Sequence, residues 1–460
     1  MTAARSPIRS IAALVGAAGV PLHHLKQIGH LLSGNAMSTG LTLIGTGIAA
    51  RTLTTATFGV FVMILTFVRL VERIARFESW QPLIKFASDL EAGRDRRQLT
   101  RLYLYGLLLD VGAAMLAAGS ALAIAWLFAP LVGISPAYLP LVAICCVGTL
   151  FNITGMPTAA LRLAGRFRTI AYSQLIGPAV LVFLSAYCGY RALGIEGFLI
   201  ATIAAQIVGA LIFVYQGFAA LRAQGIGNPL RASPRGLRRD FPGFLAFAWS
   251  TNLSMTMRTL TQEADTLMVG ALSGPSAAGF YHIAKRLAKL AQQFGAQAQA
   301  VLYPDMARLW AKGNLAELRA LTLRIQWALG VIGVAALLAA LLLGHTVIVA
   351  ALGHAYADAT PLLVTQIISV IFVMHAAPSR SILLSMGRPQ LVLLVATIGT
   401  AIFFACALLL IPTLGAMGAS IAQIVFTAFI AAWLDVAWHR GLAAPQSASN
   451  PKPDDRSTLA

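Results

Sequence analysis

Charge is what this chain has least of. Only 11% of its 460 residues are Asp, Glu, Lys or Arg, where a soluble domain carries about 25%. With 58% of residues apolar, that deficit excludes a single large water-soluble core. Acids are the scarcest: 16 Asp and Glu stand against 34 Lys and Arg, a formal net charge of +18. Cysteine is rare too. Cys145, Cys146, Cys188 and Cys406 all fall in apolar runs and none forms a C-x-x-C pair, so they read as small apolar fillers rather than as a zinc site or a disulfide framework. The 40 glycines and 20 prolines follow no period, which excludes a collagen-like chain. Also missing are the phosphate loop G-x-x-x-x-G-K-S/T, the nucleophile elbow G-x-S-x-G and the zinc helix H-E-x-x-H. Without them the expectation is a protein that is not an enzyme and holds neither cofactor nor metal.

What the chain does have is long apolar runs. A helix crossing the hydrocarbon core needs about 20 mostly apolar residues. Twelve stretches meet that need: 30–50, 57–79, 102–129, 138–161, 170–190, 195–217, 243–271, 277–302, 325–351, 360–384, 391–411 and 416–438. The second, seventh and eighth are the least hydrophobic. Arg5 and Arg9 before Ile11–Val20 imitate a signal peptide, but the run is short and lacks a convincing cleavage site, so residues 1–29 read as a cytoplasmic or interfacial lead-in.

The bases decide the orientation. With a cytoplasmic N-terminus, the inner segments hold 24 of them and the outer loops only Arg51 and Arg191. The positive-inside rule then puts both termini in the cytoplasm. That sorting also removes the case for nucleic acid, whose binders carry their bases on a water-soluble scaffold. Residues 441–460, rich in Pro, Ser, Asn and Asp, read as a disordered cytoplasmic tail.

A shift of about 220 positions brings the punctuation of the two halves into register. Gly59 meets Gly279, Pro82 meets Pro304 and Pro157 meets Pro378. The pair Gly165-Arg166 meets Gly387-Arg388, and Gly194 with Gly197 meets Gly415 with Gly418. Five ordered matches at a near-constant offset predict an internal repeat. The expected fold is all-α: a polytopic membrane protein of about twelve transmembrane helices in two pseudo-symmetric six-helix bundles. Six is even, so both halves enter from the same side and the repeat is parallel, an architecture typical of transporters with a path between their halves. The bundles are assigned to 30–217 and 243–440, joined by a basic cytoplasmic linker at 218–242.

Polar stripes fall on the four helices that the repeat relates. Span one carries Asn35, Ser38, Thr42 and Thr46 on one face; span seven carries Thr251, Ser254, Arg258, Thr261, Gln262 and Asp265, again on one face. Span two carries Thr66, Arg69, Glu72, Arg73 and Arg76; span eight carries His282, Lys285, Arg286, Lys289, Gln292 and Gln293. Intramembrane charges face a protein interior or a wet cavity because lipid solvates them so poorly. One shared cavity therefore holds Arg69, Arg73, Arg258, Lys285, Arg286 and Lys289 against Glu72, Glu263 and Asp265. Its net +3 favours an anionic substrate, and arginine forks suit phosphate. Blander readings stay open. Glu72 and Arg76 have the spacing of an intrahelical pair, and Arg73 and Lys289 can snorkel. Asp265 fits either a solvated helix end or a coupling role. Asp110, alone in span three, fits a proton site or a pairing with a neighbouring helix. His375 beside Pro378 reads as a packed or hydrogen-bonded histidine.

The segments SGNAMSTGLTLIGTGIAARTLTTATFGVFVMI, EADTLMVGALSGPSAAGFYHIAKRL and LLSMGRPQ, with this topology, resemble the Wzx-type oligosaccharide-lipid flippases of the multidrug/oligosaccharidyl-lipid/polysaccharide exporter superfamily. The likeness spans about residues 30–440. In that family a D-x-L-M-V-G phrase followed by G-F-Y opens the second bundle, and Asp265, Gly270, Gly279 and Tyr281 match it. The resemblance implies a flippase for undecaprenyl-diphosphate-linked oligosaccharide repeat units in the bacterial inner membrane, serving O-antigen, capsule or exopolysaccharide assembly. Its implied partners are membrane lipids, a polysaccharide polymerase and export machinery. On this reading Arg258 and Arg286, helped by Arg69 and Lys285, neutralise the diphosphate. Asn35, Thr42, Asn252 and Gln292 contact sugars, and Asp265, Glu263 or Asp110 couples to an ion. Two other readings remain: a drug or small-molecule antiporter of the same superfamily, and a non-transporting scaffold of a polysaccharide assembly complex.

Overall fold

The computed structural model describes residues 22–76, 79–93, 95–128 and 133–443, with side chains described outside 22–32, 89, 91–93, 250–262, 294–305 and 307. Among the described residues every regular element is helical. In chain order these are α1 (Leu22–Thr52), α2 (Thr55–Ala75), α3 (Trp80–Gly93), α4 (Arg96–Phe128), α5 (Leu139–Leu150), α6 (Gly155–Leu163), α7 (Phe167–Ser173) and α8 (Ile176–Arg191). There follow α9 (Gly194–Ala223), α10 (Leu237–Asp240), α11 (Phe244–Ser273), α12 (Pro275–Ala311), α13 (Leu315–Leu352), α14 (Ala359–Ser385), α15 (Pro389–Leu414) and α16 (Ala416–Ala443).

Eight segments are long and apolar enough to cross a membrane: α4, α5–α6, α7–α8, α9, α13, α14, α15 and α16. The four remaining long helices, α1, α2, α11 and α12, are not among these eight, and they are the four that carry the polar stripes.

The repeat-related glycines take matching local geometry. Gly165 has φ +69° and Gly387 φ +72°. After each, an arginine N–H reaches back to a leucine carbonyl: Arg166 to Leu161 at 2.9 Å and Arg388 to Leu383 at 3.0 Å. This is a helix C-cap in which only glycine takes the left-handed turn without strain. Gly59 and Gly279 meet each other: a Cβ on Gly279 would lie 3.4 Å from the Gly59 Cα, and one on Gly59 only 1.8 Å from the Pro275 carbonyl oxygen. The start of α2, where the Thr54 hydroxyl accepts the Thr57 N–H, is thereby pressed against the start of α12.

The chain divides into two compact units. One comprises the described residues up to Arg286 together with Leu342–Leu363 and Cys406–Ser420. Inside it Tyr356 stands edge-on to Phe58 and Phe280, at centroid separations of 5.8 and 5.7 Å. A core of Leu83, Leu102, Tyr103, Met156, Ala160 and Leu221 gathers α3, α4, α6 and α9, and Leu237, Phe241 and Phe244 join it. The basic linker is thus folded rather than loose. Arg101 holds it through Asp240 and the Arg235 carbonyl, each at 2.5 Å. The second unit comprises the remaining parts of α12–α16, with a core of Leu318, Ile382, Leu383, Val395, Leu434 and Trp438.

Candidate functional site

The cationic site lies in the first unit, where α1, α2, α8, α9 and α12 converge. Thr42, Thr46, Arg69, Ser185, Thr202 and Arg286 line a small cavity, closed on its apolar side by Phe61, Val62, Leu65 and Leu181. Its helices are long, so the site is carried on rigid elements, and the hydroxyls of α1 recur every four residues along one face. Thr42 and Thr46 donate to the carbonyls one turn back, at 2.7 Å each. That orients the Thr46 oxygen toward Arg286, whose Nη1 donates to it at 2.5 Å. Arg69 and Glu263 are the other charges acting on Arg286. The free volume is about 20 Å³, room for about one water molecule.

Lys285, one residue before Arg286, is engaged elsewhere. Its Nζ lies 2.6 Å from both carboxylate oxygens of Asp265. Asp265 is 1% exposed and also accepts the Tyr281 hydroxyl at 2.8 Å and the Thr266 N–H at 2.6 Å. A solvated helix end is therefore not its environment: it is a buried ion pair with its lone pairs satisfied. Removing one partner of such a pair is costly because the other charge stays buried.

Glu72 forms the intrahelical pair with Arg76 and also accepts from the Asn152 amide, so a second acid is neutralised away from the cavity. Asp110 is buried and accepts the Ser79 hydroxyl and the Met156 N–H, the latter at 2.8 Å. It thereby caps α6 at its start. Arg73 and Asn35 are exposed; Lys289 and Gln292 are half-buried on α12, beyond the part of that helix in the first unit. The side chains of Arg258 and Asn252 lie outside the described residues. His375 is hydrogen-bonded, its Nε2 being 2.7 Å from Asp435. Among the described residues no group of three His, Cys, Asp or Glu side chains converges on a metal-sized site.

Thr46, Ser185 and Thr202 belong to the cavity although the strongest sequence signals lay elsewhere. Thr46 was visible in the stripe of α1. Ser185 and Thr202 are lone hydroxyls in apolar runs, a pattern that by itself marks nothing.

The comparisons with known proteins agree with this architecture. A family model described as polysaccharide biosynthesis protein matches residues 48–361, more than half of the chain. The chain belongs to the polysaccharide biosynthesis protein family. This family member is 25% identical over 346 residues to the inner membrane protein YghQ of Escherichia coli (strain K12), a match covering 74% of the chain and 95% of that relative. It is a multi-pass inner membrane protein. Among solved structures it is similar to an inward-facing multidrug resistance MATE family transporter of the MOP superfamily, with a TM-score of 0.71 at 14% identity, covering 90% of this chain and 96% of that one. It is also similar to the lipid II flippase MurJ in an inward closed conformation, with a TM-score of 0.70 at 13% identity, covering 89% and 87%. At such identities the likeness establishes the fold. The family member therefore has the expected all-α, polytopic architecture of these transporters.

Proposed function

We propose that the protein is a flippase that moves undecaprenyl-diphosphate-linked oligosaccharide repeat units across the inner membrane, for O-antigen, capsule or exopolysaccharide assembly. The observation that carries this reading is the cavity where half-buried Arg286 and exposed Arg69 meet the hydroxyls of Thr42, Thr46, Ser185 and Thr202. The two guanidiniums repel each other across the site, and a diphosphate relieves that repulsion while accepting bidentate hydrogen bonds from both forks. Thr42, Thr46, Ser185 and Thr202 suit sugar hydroxyls. The membership in a polysaccharide biosynthesis family supports the glycan part of the reading. The lipid tail stays in or beside the bilayer.

Transport on this proposal is alternating access, in which the helices around Arg286 part to admit the headgroup and close behind it. The Asp265–Lys285 pair is the proposed coupling group: a proton or cation reaching Asp265 releases Lys285 next to Arg286. Glu263 and Asp110 are the alternatives for that role.

The test is chemical. Deletion of the protein should trap lipid-linked oligosaccharide on the cytoplasmic face. Replacing Arg69 and Arg286 together with glutamine should abolish polymer export while the protein still inserts. Normal polymer in that variant overturns the assignment of the site. Altered drug resistance with normal glycan overturns the flippase reading in favour of an antiporter.

A further inference from the structure

Away from the cationic cavity, the second unit carries a groove of about 530 Å³ between α15 and α16. Its walls are apolar: Leu391 from α15, and Phe429, Trp433 and Val436 from one face of α16. The groove is open, with Trp433 42% and Val436 49% exposed. Phe429 and Trp433 lie against each other at 5.4 Å between ring centroids. At one end stand two arginines, Arg388 and Arg440.

The backbone fixes where these bases sit. Arg388 leaves the Gly387 turn with its N–H bonded to Leu383, and the next residue, Pro389, opens α15. Arg440 lies in the last turn of α16. At Gly441 the missing side chain leaves room for Arg388: a Cβ there would lie 3.2 Å from its Nη1. Two guanidiniums are thus drawn to one end of an apolar trough, beside the first N–H groups of α15, which are themselves anion-attracting. Neither arginine forms an ion pair with a carboxylate among the described residues.

We propose that this groove binds one anionic glycerophospholipid, its phosphate held by Arg388, Arg440 and the start of α15 and its acyl chain lying along Leu391, Phe429, Trp433 and Val436. Charge complementarity selects this occupant. An apolar peptide or a zwitterionic lipid would fill the trough but leave two like charges unrelieved at its end. Snorkelling alone explains an arginine at a headgroup level. It does not explain two converging on one apolar groove beside a helix start.

Trp433 makes the site readable. The protein is placed in phosphatidylcholine nanodiscs that carry a minor fraction of either brominated phosphatidylglycerol or brominated phosphatidylcholine. Quenching at Trp433 is taken as the difference between wild type and Trp433→Phe. Expected is a preference for the glycerol lipid on the order of tenfold, lost in Arg388→Gln/Arg440→Gln and partly kept in Arg388→Lys/Arg440→Lys, with unchanged melting temperatures. Equal quenching by both lipids overturns the proposal, as does a preference that survives in the glutamine variant. So does a preference that emerges only when residues 446–460 are removed, which makes the chain's own tail the occupant.

Discussion

Pro157 and Pro378 occupy matching places in the repeat, yet the helices around them differ. At Pro157 the chain breaks: α5 stops at Leu150 and α6 restarts at Gly155. A continuous helix would drive the proline ring into the Ile153 carbonyl. The break exposes N–H groups at the start of α6, and buried Asp110 covers them, accepting from Met156 and from the Ser79 hydroxyl. At Pro378 the helix runs on unbroken from Ala359 to Ser385. Its support comes from the side. Asp435 on α16 accepts the Ser379 hydroxyl, the Gln326 amide at 3.0 Å and the Trp438 indole N–H at 3.2 Å, with His375 at 2.7 Å. One buried carboxylate therefore stabilises a helix end through neutral donors. The partly exposed Asp435 carboxylate ties three helices together through a network that contains an imidazole. The lesson is that one sequence motif sets a weak point in a membrane helix, and the neighbouring helices choose how it is repaired. The second repair contains an imidazole, the side chain whose unperturbed charge changes between about pH 5 and 8.

Four outcomes would break or sharpen that contrast. The largest concerns Gly155, where a Cβ would lie 1.7 Å from the Ser79 hydroxyl and 2.5 Å from Asp110. Gly155→Val should cost about 3 kcal/mol or more, by overpacking and loss of the cap together, and appear as a large fall in melting temperature in detergent or as failure to accumulate. Next, Asp110→Ala strands the Met156 N–H and should cost about 2 kcal/mol, read in the same way. If Asp110→Ala melts like wild type, the cap is not what holds α6.

The third outcome tests the imidazole in the second repair by pH. An imidazolium and a carboxylate 2.7 Å apart form an ion pair that a neutral imidazole cannot. The His375–Asp435 contribution is therefore present on the acid side and lost as pH rises through the histidine range. Wild type should melt lower at alkaline than at acid pH, and His375→Gln should lose the part of that slope that the His375–Asp435 pair carries. An unchanged slope in His375→Gln would remove the distinction between the two repairs. The smallest effect is expected at Pro378→Ala. It restores a backbone N–H inside a continuous helix, so melting should hold or rise, within about 1 kcal/mol because the surroundings are built around the ring. A large loss there would mean that the kink itself is needed.

Much of the molecule was legible beforehand. The repeat could be read because glycine and proline act through the backbone. Gly165 and Gly387 cap their helices alike, and Gly59 touches its repeat partner Gly279, whatever their neighbours are. The polar stripes were legible because helical spacing puts Thr42 and Thr46, or His282 and Arg286, on one face. Partner choice was not. Lys285 and Arg286 are adjacent in the chain, yet one is neutralised by Asp265 and the other turns to Thr46. Glu72 was matched with Arg76 by spacing, but its second partner, Asn152, comes from 80 residues away.

The sequence by itself determined that the chain is membrane-embedded, helical and internally repeated, because transfer of apolar surface and glycine's conformational freedom depend on local residue type. The tertiary structure alone decided which buried charges are spent on each other and which stay available. Ion pairing falls off over a few ångströms and demands geometry, so it is settled only when helices distant in sequence pack. The result is a chain that pairs Asp265 with Lys285 and Glu72 with Arg76, ties Asp435 into a hydrogen-bonded network, and keeps Arg69 and Arg286 together at one cavity.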